Sequence, residues 1–263
     1  MIIAESVGSQ NITSLARRDQ ERPKRDAFVG MLPPKLAQIM INLTGISLTQ
    51  SSQPSQSLSE SLTPPTSPDV AGDEDKALTS VDPLTILDPF CGTGVLLQEA
   101  LLLDYNAYGT DLADKMIDYS RINLDWIKTI SHTSGEYEVD QGDAMNYSWH
   151  QPIDAVATET YLGQPFSAPP SNSKLIEVRG NCDHIISSFL RNIGKQLKVG
   201  TPLCVGVPAW RDGNGDFTHL PLIKNLAQLG YEHVELKNVR ANDLLYYRED
   251  QVVARELLIL RKV

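Results

Sequence analysis

Apolar residues fall in two rhythms along this chain. From Leu84 onward, short apolar and β-branched runs alternate with longer stretches whose apolar positions recur every three or four residues. A parallel sheet requires that alternation of strand and helix. The pattern predicts strands over 85–87, 107–111, 137–140, 153–158, 202–207, 231–236 and 252–260. It predicts helices over 95–103, 115–130, 183–197 and 220–229. The last two strands have no helix between them, which predicts an antiparallel hairpin at one edge. Ahead of this region, Leu36, Ile39, Met40 and Leu43 repeat at the spacing of an amphipathic helix with one buried face. Pro33 and Pro34 stand at its start, where a helix tolerates proline.

The polar stretches divide what remains. Residues 1–30 are polar and carry Arg17, Arg18, Arg22, Lys24 and Arg25. Pro23 and the mixed charges argue against a helix across them. The plain reading is a solvated, flexible arm; the functional one is a lid over a ligand or a contact to nucleic-acid phosphates. Residues 49–80 are dominated by Ser, Pro and acids, with few large apolar side chains. Such a segment cannot offset its ordering entropy and is expected to be disordered. The organisation that follows is an N-terminal arm and covering helix over 1–48, a loop over 49–80, and one α/β domain over 81–263.

Composition narrows the class. The chain has 263 residues with 41% hydrophobic content, enough for a substantial core. Its net charge of -10 argues against a free-standing, tight nucleic-acid binder, because phosphate contacts need clustered Lys and Arg. The three cysteines, Cys91, Cys182 and Cys204, lie far apart, which predicts free thiols in a reducing cytoplasm. The five His residues show no metal spacing with Cys or acids, so no metal is expected. No apolar run approaches membrane-spanning length, and the N-terminus lacks a signal-peptide pattern.

The densest chemistry lies at the end of the first strand. Asp88-Pro89-Phe90-Cys91-Gly92-Thr93-Gly94 reads as a tight turn into an apolar helix. Ligands of open α/β sheets sit at such turns, beyond the carboxyl ends of strands. Gly92 and Gly94 permit backbone angles and close approaches that a Cβ blocks. A dinucleotide fingerprint needs a third small residue where Leu97 stands, and the Gly-Lys-Ser/Thr of a nucleotide-triphosphate loop is absent. What remains suits a nucleoside without a phosphate chain, a description that S-adenosylmethionine (SAM) fits. Asp111 follows Asp88 by 23 positions, at the second strand end, where an acid accepts from ribose hydroxyls. Asp143, in Gly142-Asp143-Ala144 after the third strand, is the candidate acceptor for the adenine amine. Asp88 is placed near the positively charged amino-acid end of the cofactor. Phe90, Cys91, Gly92, Gly94, Leu112 and Ala144 complete the candidate cofactor set from this domain.

These residues carry a resemblance. Asp88-Pro89-Phe90-Cys91-Gly92-Thr93-Gly94 resembles the SAM-binding loop of amino-group methyltransferases that act on nucleic-acid bases. Arg22-Pro23-Lys24-Arg25-Asp26, followed by Gly30-Met31-Leu32-Pro33-Pro34-Lys35-Leu36-Ala37-Gln38, resembles the segment before the catalytic domain of the tRNA guanine-N2 methyltransferase family. The resemblance covers about residues 15–45 and 84–263. It implies a class I methyltransferase fold: a Rossmann-like, doubly wound α/β sheet, parallel except for one antiparallel strand in the edge region. It implies SAM as cofactor, tRNA as substrate and guanine N2 as target. It further implies that Phe28, Gly30, Leu32 and Pro33 line the cofactor pocket. The family's usual N-terminal RNA-binding module is not visible before Arg17. RNA capture is therefore expected to rest on the basic arm, on a separate subunit, or on a small target.

The reaction end departs from the family pattern. Amino methyltransferases place Asp/Asn-Pro-Pro-Tyr after the fourth strand, where oxygens accept from the amine and the ring stacks on the base. This chain has Thr158-Glu159-Thr160-Tyr161-Leu162-Gly163-Gln164-Pro165 there. Tyr161 matches the stacking aromatic. Glu159 is the candidate acceptor, longer by a methylene and offset by one, with Thr158 beside it. Three readings stay open: methylation of an RNA base amine, methylation of DNA at adenine N6 or cytosine N4, and a non-catalytic SAM-binding scaffold. Near the C-terminus, Tyr246, Tyr247 and Arg248 read either as a base-stacking and phosphate-contacting group or as hairpin packing.

Overall fold

The computed structural model describes residues 11–26, 32–46 and 83–263. Phe28, Gly30 and the segment 49–80 lie outside the described residues.

The parallel strands β1 (Thr85–Asp88), β2 (Asn106–Asp111), β3 (Tyr137–Gln141), β4 (Ala155–Glu159) and β5 (Pro202–Arg211) are joined by crossovers. Three of these crossovers carry helices: α3 (Val95–Leu102), α4 (Asp114–Ile130) and α5 (Asn172–Ile193). They follow α1 (Ile12–Gln20) and α2 (Pro34–Leu43). After β5 come the short β6 (Phe217–Thr218), a 3-10 helix over Pro221–Leu229, β7 (Tyr231–His233), β8 (Leu245–Tyr246) and β9 (Val253–Lys262). The main strand order is β3-β2-β1-β4-β5-β9-β7. The order reverses between β1 and β4, and that switch point opens a crevice at the carboxyl ends of the strands. The reversed strand β9 sits between β5 and β7, antiparallel to both. The expected hairpin is therefore present, but its second strand is inserted into the sheet and its first becomes the edge.

Side-chain alternation sends successive strand residues to opposite cores. Ile86, Ala107, Ala157, Cys204 and Leu257 join α2, α3 and α4 on one face. Leu87, Tyr108, Val156, Leu203 and Val205 join Ile186, Phe189, Leu190 and Ile193 of α5 on the other. α2 buries Leu36, Ala37, Met40 and Ile41, while Ile39 is exposed. The inward stripe is thus rotated by one position from the predicted one.

The reading of residues 1–30 as irregular is corrected by α1, which Asn11 caps by accepting from Ser14 N–H at 2.9 Å. Pro23 lies beyond that helix and so does not break it. The basic run is partly interior: Arg18 and Arg22 are buried. Arg18 donates to both carboxylate oxygens of Glu99 on α3, at 2.6 and 3.1 Å. These two arginines are not a solvated arm for phosphate contacts. α5 starts eleven residues before the predicted 183, at a Ser171 cap that receives Lys174 N–H. Its first turns bury only Val178 and Cys182, with Leu175 partly covered, among exposed polar residues, so the apolar stripe there is thin.

Candidate functional site

The turn after β1 is built by α4. Cys91 N–H donates to Thr110 O of β2 at 2.9 Å, and Gly94 N–H donates to Cys91 O at 2.7 Å, closing the bend. Gly92 and Gly94 adopt positive φ, 52° and 78°, where a Cβ is strained. A Cβ on Gly94 would lie 3.0 Å from Ser120 Oγ. That hydroxyl donates to Gly92 O at 2.8 Å, and Asn123 Nδ2 donates to Thr93 O at 2.8 Å. Asn123 also holds Lys24, accepting its N–H at 2.8 Å and donating to its carbonyl at 3.0 Å. The N-terminal segment is therefore pinned beside the glycine bend. Leu32 is buried in the α2-side core and Pro33 caps α2, while Leu112 stands 69% exposed just past β2.

Asp88 and Asp111 are the last residues of β1 and β2, with Asp88 opposite Gly109 and Asp111 opposite Gln141, and Asp143 follows β3 by two positions. Asp88 is buried and accepts from Thr158 Oγ1 at 2.6 Å and Phe90 N–H at 3.2 Å. Burial pushes its carboxyl up to about 7, against those two hydrogen bonds and with help from the charges of Asp111 and Glu159. Asp111 accepts from Gly92 N–H at 3.0 Å and from Ala113 N–H at 2.9 Å, and burial raises its pKa. Two bonds leave an ionised carboxylate with acceptor capacity to spare. Asp143 accepts from Met145 N–H at 2.9 Å, and Ala144 beside it is buried. Burial and both carboxylates hold the Cys91 thiol well above its ordinary range, so it stays a neutral lining group. Phe90 meets Phe189 edge-on at 5.2 Å between centroids. An anionic rim of this kind fits a ligand that carries positive charge and vicinal hydroxyls.

The segment after β4 has a different character. Thr158 is fully buried and turned to Asp88. Glu159 accepts from Arg255 Nε of β9, with side chains only 13% and 10% exposed. Thr160 Oγ1 donates to Gly206 O at 2.9 Å, while Tyr161 is 43% exposed. The sequence-predicted base contacts are thus separated: Tyr161 faces outward, Glu159 is clasped by a cation, and Thr158 belongs to the acid cluster.

Sequence reasoning missed Ser120, Asn123 and Arg255. Each had a signal. Ser120 and Asn123 interrupt the buried face of α4 formed by Met116, Ile117, Leu124 and Ile127. Arg255 and Glu256 interrupt the apolar run of β9, and both are buried. Near the C-terminus, Tyr247 packs on Phe217 at 5.0 Å and under Arg211 at 5.4 Å, which is hairpin packing. The fold also brings Glu138, Asp140 and His150 within 4.8 Å, a grouping the chain spacing hides. Tyr108, Tyr147 and Gln151 already hydrogen-bond its side chains.

Comparison with known proteins adds kinship. The chain is 27% identical over 196 residues to the tRNA (guanine(10)-N2)-dimethyltransferase of Methanothermobacter thermautotrophicus, covering 74% of this chain and 44% of that protein. It is 33% identical over 93 residues to the protein of the same name from Pyrococcus abyssi, covering 34% and 27%. The chain therefore spans less than half the length of these curated relatives. TrmN from Thermus thermophilus superposes with a TM-score of 0.52 at 16% identity, over 90% of this chain and 51% of that one. Magnesium protoporphyrin IX methyltransferase from Synechocystis PCC 6803 superposes at 0.51 and 10% identity, over 95% and 94%. No protein-family model matches the chain. The glycine bend, the strand order and these likenesses agree: the chain has the class I SAM-dependent methyltransferase fold, and in sequence it resembles the tRNA guanine-N2 methyltransferase family.

Proposed function

We propose that this chain is a SAM-dependent methyltransferase acting on an exocyclic base amine of RNA, guanine N2 of tRNA first among them. The observation that carries the reading is that Asp88 and Asp111, at the ends of β1 and β2, both hydrogen-bond the turn that holds two positive-φ glycines. Asp111 would take the ribose hydroxyls and Asp143 the adenine amine. Asp88 would meet the amino-acid end, with Cys91 and Gly92 along the wall and Leu112 against the adenine face. SAM supplies, when bound, a methyl on a sulfonium that a nitrogen nucleophile displaces in line.

The chain's own residues then have to present the amine. Its lone pair is delocalised into the ring, so hydrogen-bond acceptors must draw it out and orientation must supply much of the rate. Glu159 is the acceptor available after β4. Arg255 engages Oε1, which fixes the direction of the carboxylate while Oε2 remains to accept. Tyr161, exposed beside it, is the ring against which a base would stack.

Labelled SAM with total tRNA, DNA or no nucleic acid tests the reading, with mass spectrometry of the labelled nucleoside. Asp111→Ala should abolish or strongly weaken SAM binding. Tyr161→Ala should spare SAM binding and lose transfer. Unchanged SAM affinity in Asp111→Ala rejects the cofactor map. A scaffold reading is favoured by the Glu159–Arg255 clasp and the missing prolines; SAM binding without transfer to any nucleic acid would establish it.

A further inference from the structure

With Arg18 and Arg22 turned inward, a chain of net charge -10 needs another place to hold a polynucleotide. We propose that a hollow at the carboxyl end of β5 takes a backbone phosphate of the nucleic-acid substrate. The proposal rests on the reading above and adds to it where the phosphodiester chain is gripped.

The hollow has a volume of about 420 Å³ and is lined by Arg179 of α5, His219 and Leu220 after β6, and Lys224 of the 3-10 helix. Among the described residues, neither Arg179 nor Lys224 makes an ion pair. Arg179 Nε is shielded from solvent and has no hydrogen-bond partner. With Nε closed off, the guanidinium lines the hollow through its outer nitrogens, whose planar fork fits a phosphate oxygen. Lys224 adds a point charge from the facing wall. Leu220 is buried beneath them, and an apolar floor strengthens the field of both cations. No carboxylate is among the residues that line it; His219, which does, is hydrogen-bonded through Nδ1 to Glu256 at 2.8 Å.

Position ties the hollow to the reaction end. Glu256 pairs with Val207, and the preceding residue of β5, Gly206, pairs with Glu159. β4 and β9 are two strand spacings apart, about 10 Å, and alternation turns Glu256 to the α5 face and Glu159 to the α2 face, so the link to the reaction end runs through the loop after β4. On the α5 side, the loop after β4 rests where a Cβ on Gly163 would meet Val178 Cγ1 at 3.0 Å and Cys182 Sγ at 3.3 Å. Arg179 follows Val178 directly. A second hollow, about 210 Å³, shares Asn225 with the first and adds Arg191, three helical turns further along α5. Its carboxylate, Asp183, accepts from Leu222 N–H at 2.7 Å. A base brought to Tyr161 would thus leave its neighbouring phosphates over a cationic wall.

The test is tRNA binding by the full chain across salt concentrations, for wild type, Arg179→Gln, Lys224→Gln and the double variant. Each neutralisation should lower the slope of log affinity against log salt by about one, and the double variant by about two. SAM affinity should stay at the wild-type value in all of them. Lys198→Glu, exposed near the amino end of β5, is the control and should leave tRNA affinity within about twofold. Unchanged affinity and slope in the double variant, with wild type still methylating tRNA, would overturn the phosphate site and leave the function standing. A wild type that binds SAM but neither binds nor methylates tRNA or DNA overturns both. Stabilisation by inorganic phosphate alone, with tRNA binding unaffected by the variants, assigns the hollow to a free anion and overturns the proposal.

Discussion

At the scale of single residues, two carboxylates decide what the site can do. Burial pushes the Asp88 carboxyl up to about 7 in the folded chain, from an ordinary value of 3.8. A carboxyl that holds its proton more tightly when folded destabilises the fold as pH rises through the interval between those values. Asp88→Asn removes that slope: its Tm should exceed the wild type's above about pH 7 and converge with it at low pH. A bound ammonium would draw the same carboxylate into its charged form, so SAM affinity of the wild type should rise with pH through about 7 and level off. Calorimetry across that range checks the pairing, and a flat profile refutes it. Glu159 is held instead by a cation. Arg255→Met leaves a nearly buried carboxylate unpaired, a loss of about 3–5 kcal/mol, and should depress transfer more than SAM binding. Arg255→Lys should restore part of both. Single-turnover transfer beside SAM affinity separates a positioning role from plain destabilisation, in which the two would fall together.

At the scale of elements, the parallel strands and the glycine bend were legible because apolar alternation and a specific Asp-Pro-Phe-Cys-Gly-Thr-Gly string are local signals. The order of the last strands was not, since inserting β9 between β5 and β7 depends on pairings far apart in sequence. α1 was hidden for a related reason. Its helix is polar, and what holds it is the pairing of Arg18 with Glu99, 81 positions away. Local propensity cannot register a partner on another helix. The places of Asp88 and Asp111 at strand ends were readable from the spacing; the grip of Ser120 and Asn123 on the bend was not, because polar groups on a core face announce a partner without naming it. The α1 contact has its own consequence. Arg18→Met strands the Glu99 carboxylate, whose side chain is 1% exposed, and should cost about 3–5 kcal/mol. Arg18→Met with Glu99→Leu should recover most of that loss, because apolar replacements of both partners leave no buried charge. Denaturant unfolding of the two variants reads the difference directly, and equal losses would refute it.

At the scale of the whole molecule, the N-terminal segment is fastened to the α/β domain by the Arg18–Glu99 and Asp26–Lys115 pairs and by one amide beside the glycine bend. Asn123 receives Lys24 N–H, donates to Lys24 O and donates to Thr93 O, so one amide fastens the incoming chain to the bend that would cradle the cofactor. α2 packs on the sheet and buries Met40 close to Gly206 of β5. Asn123→Ala leaves the Lys24 and Thr93 groups without their partner, at a cost of about 1–3 kcal/mol. If the two regions open as one unit, hydrogen exchange at Lys24 and at Gly92 and Gly94 should accelerate together in this variant, and added SAM should slow both. The amides of the α5 core, on the other face of the sheet, should be slowed only as far as global stability changes. Acceleration at Lys24 alone, with the glycine bend as protected as in wild type, would show that the segment closes over the domain without governing the site.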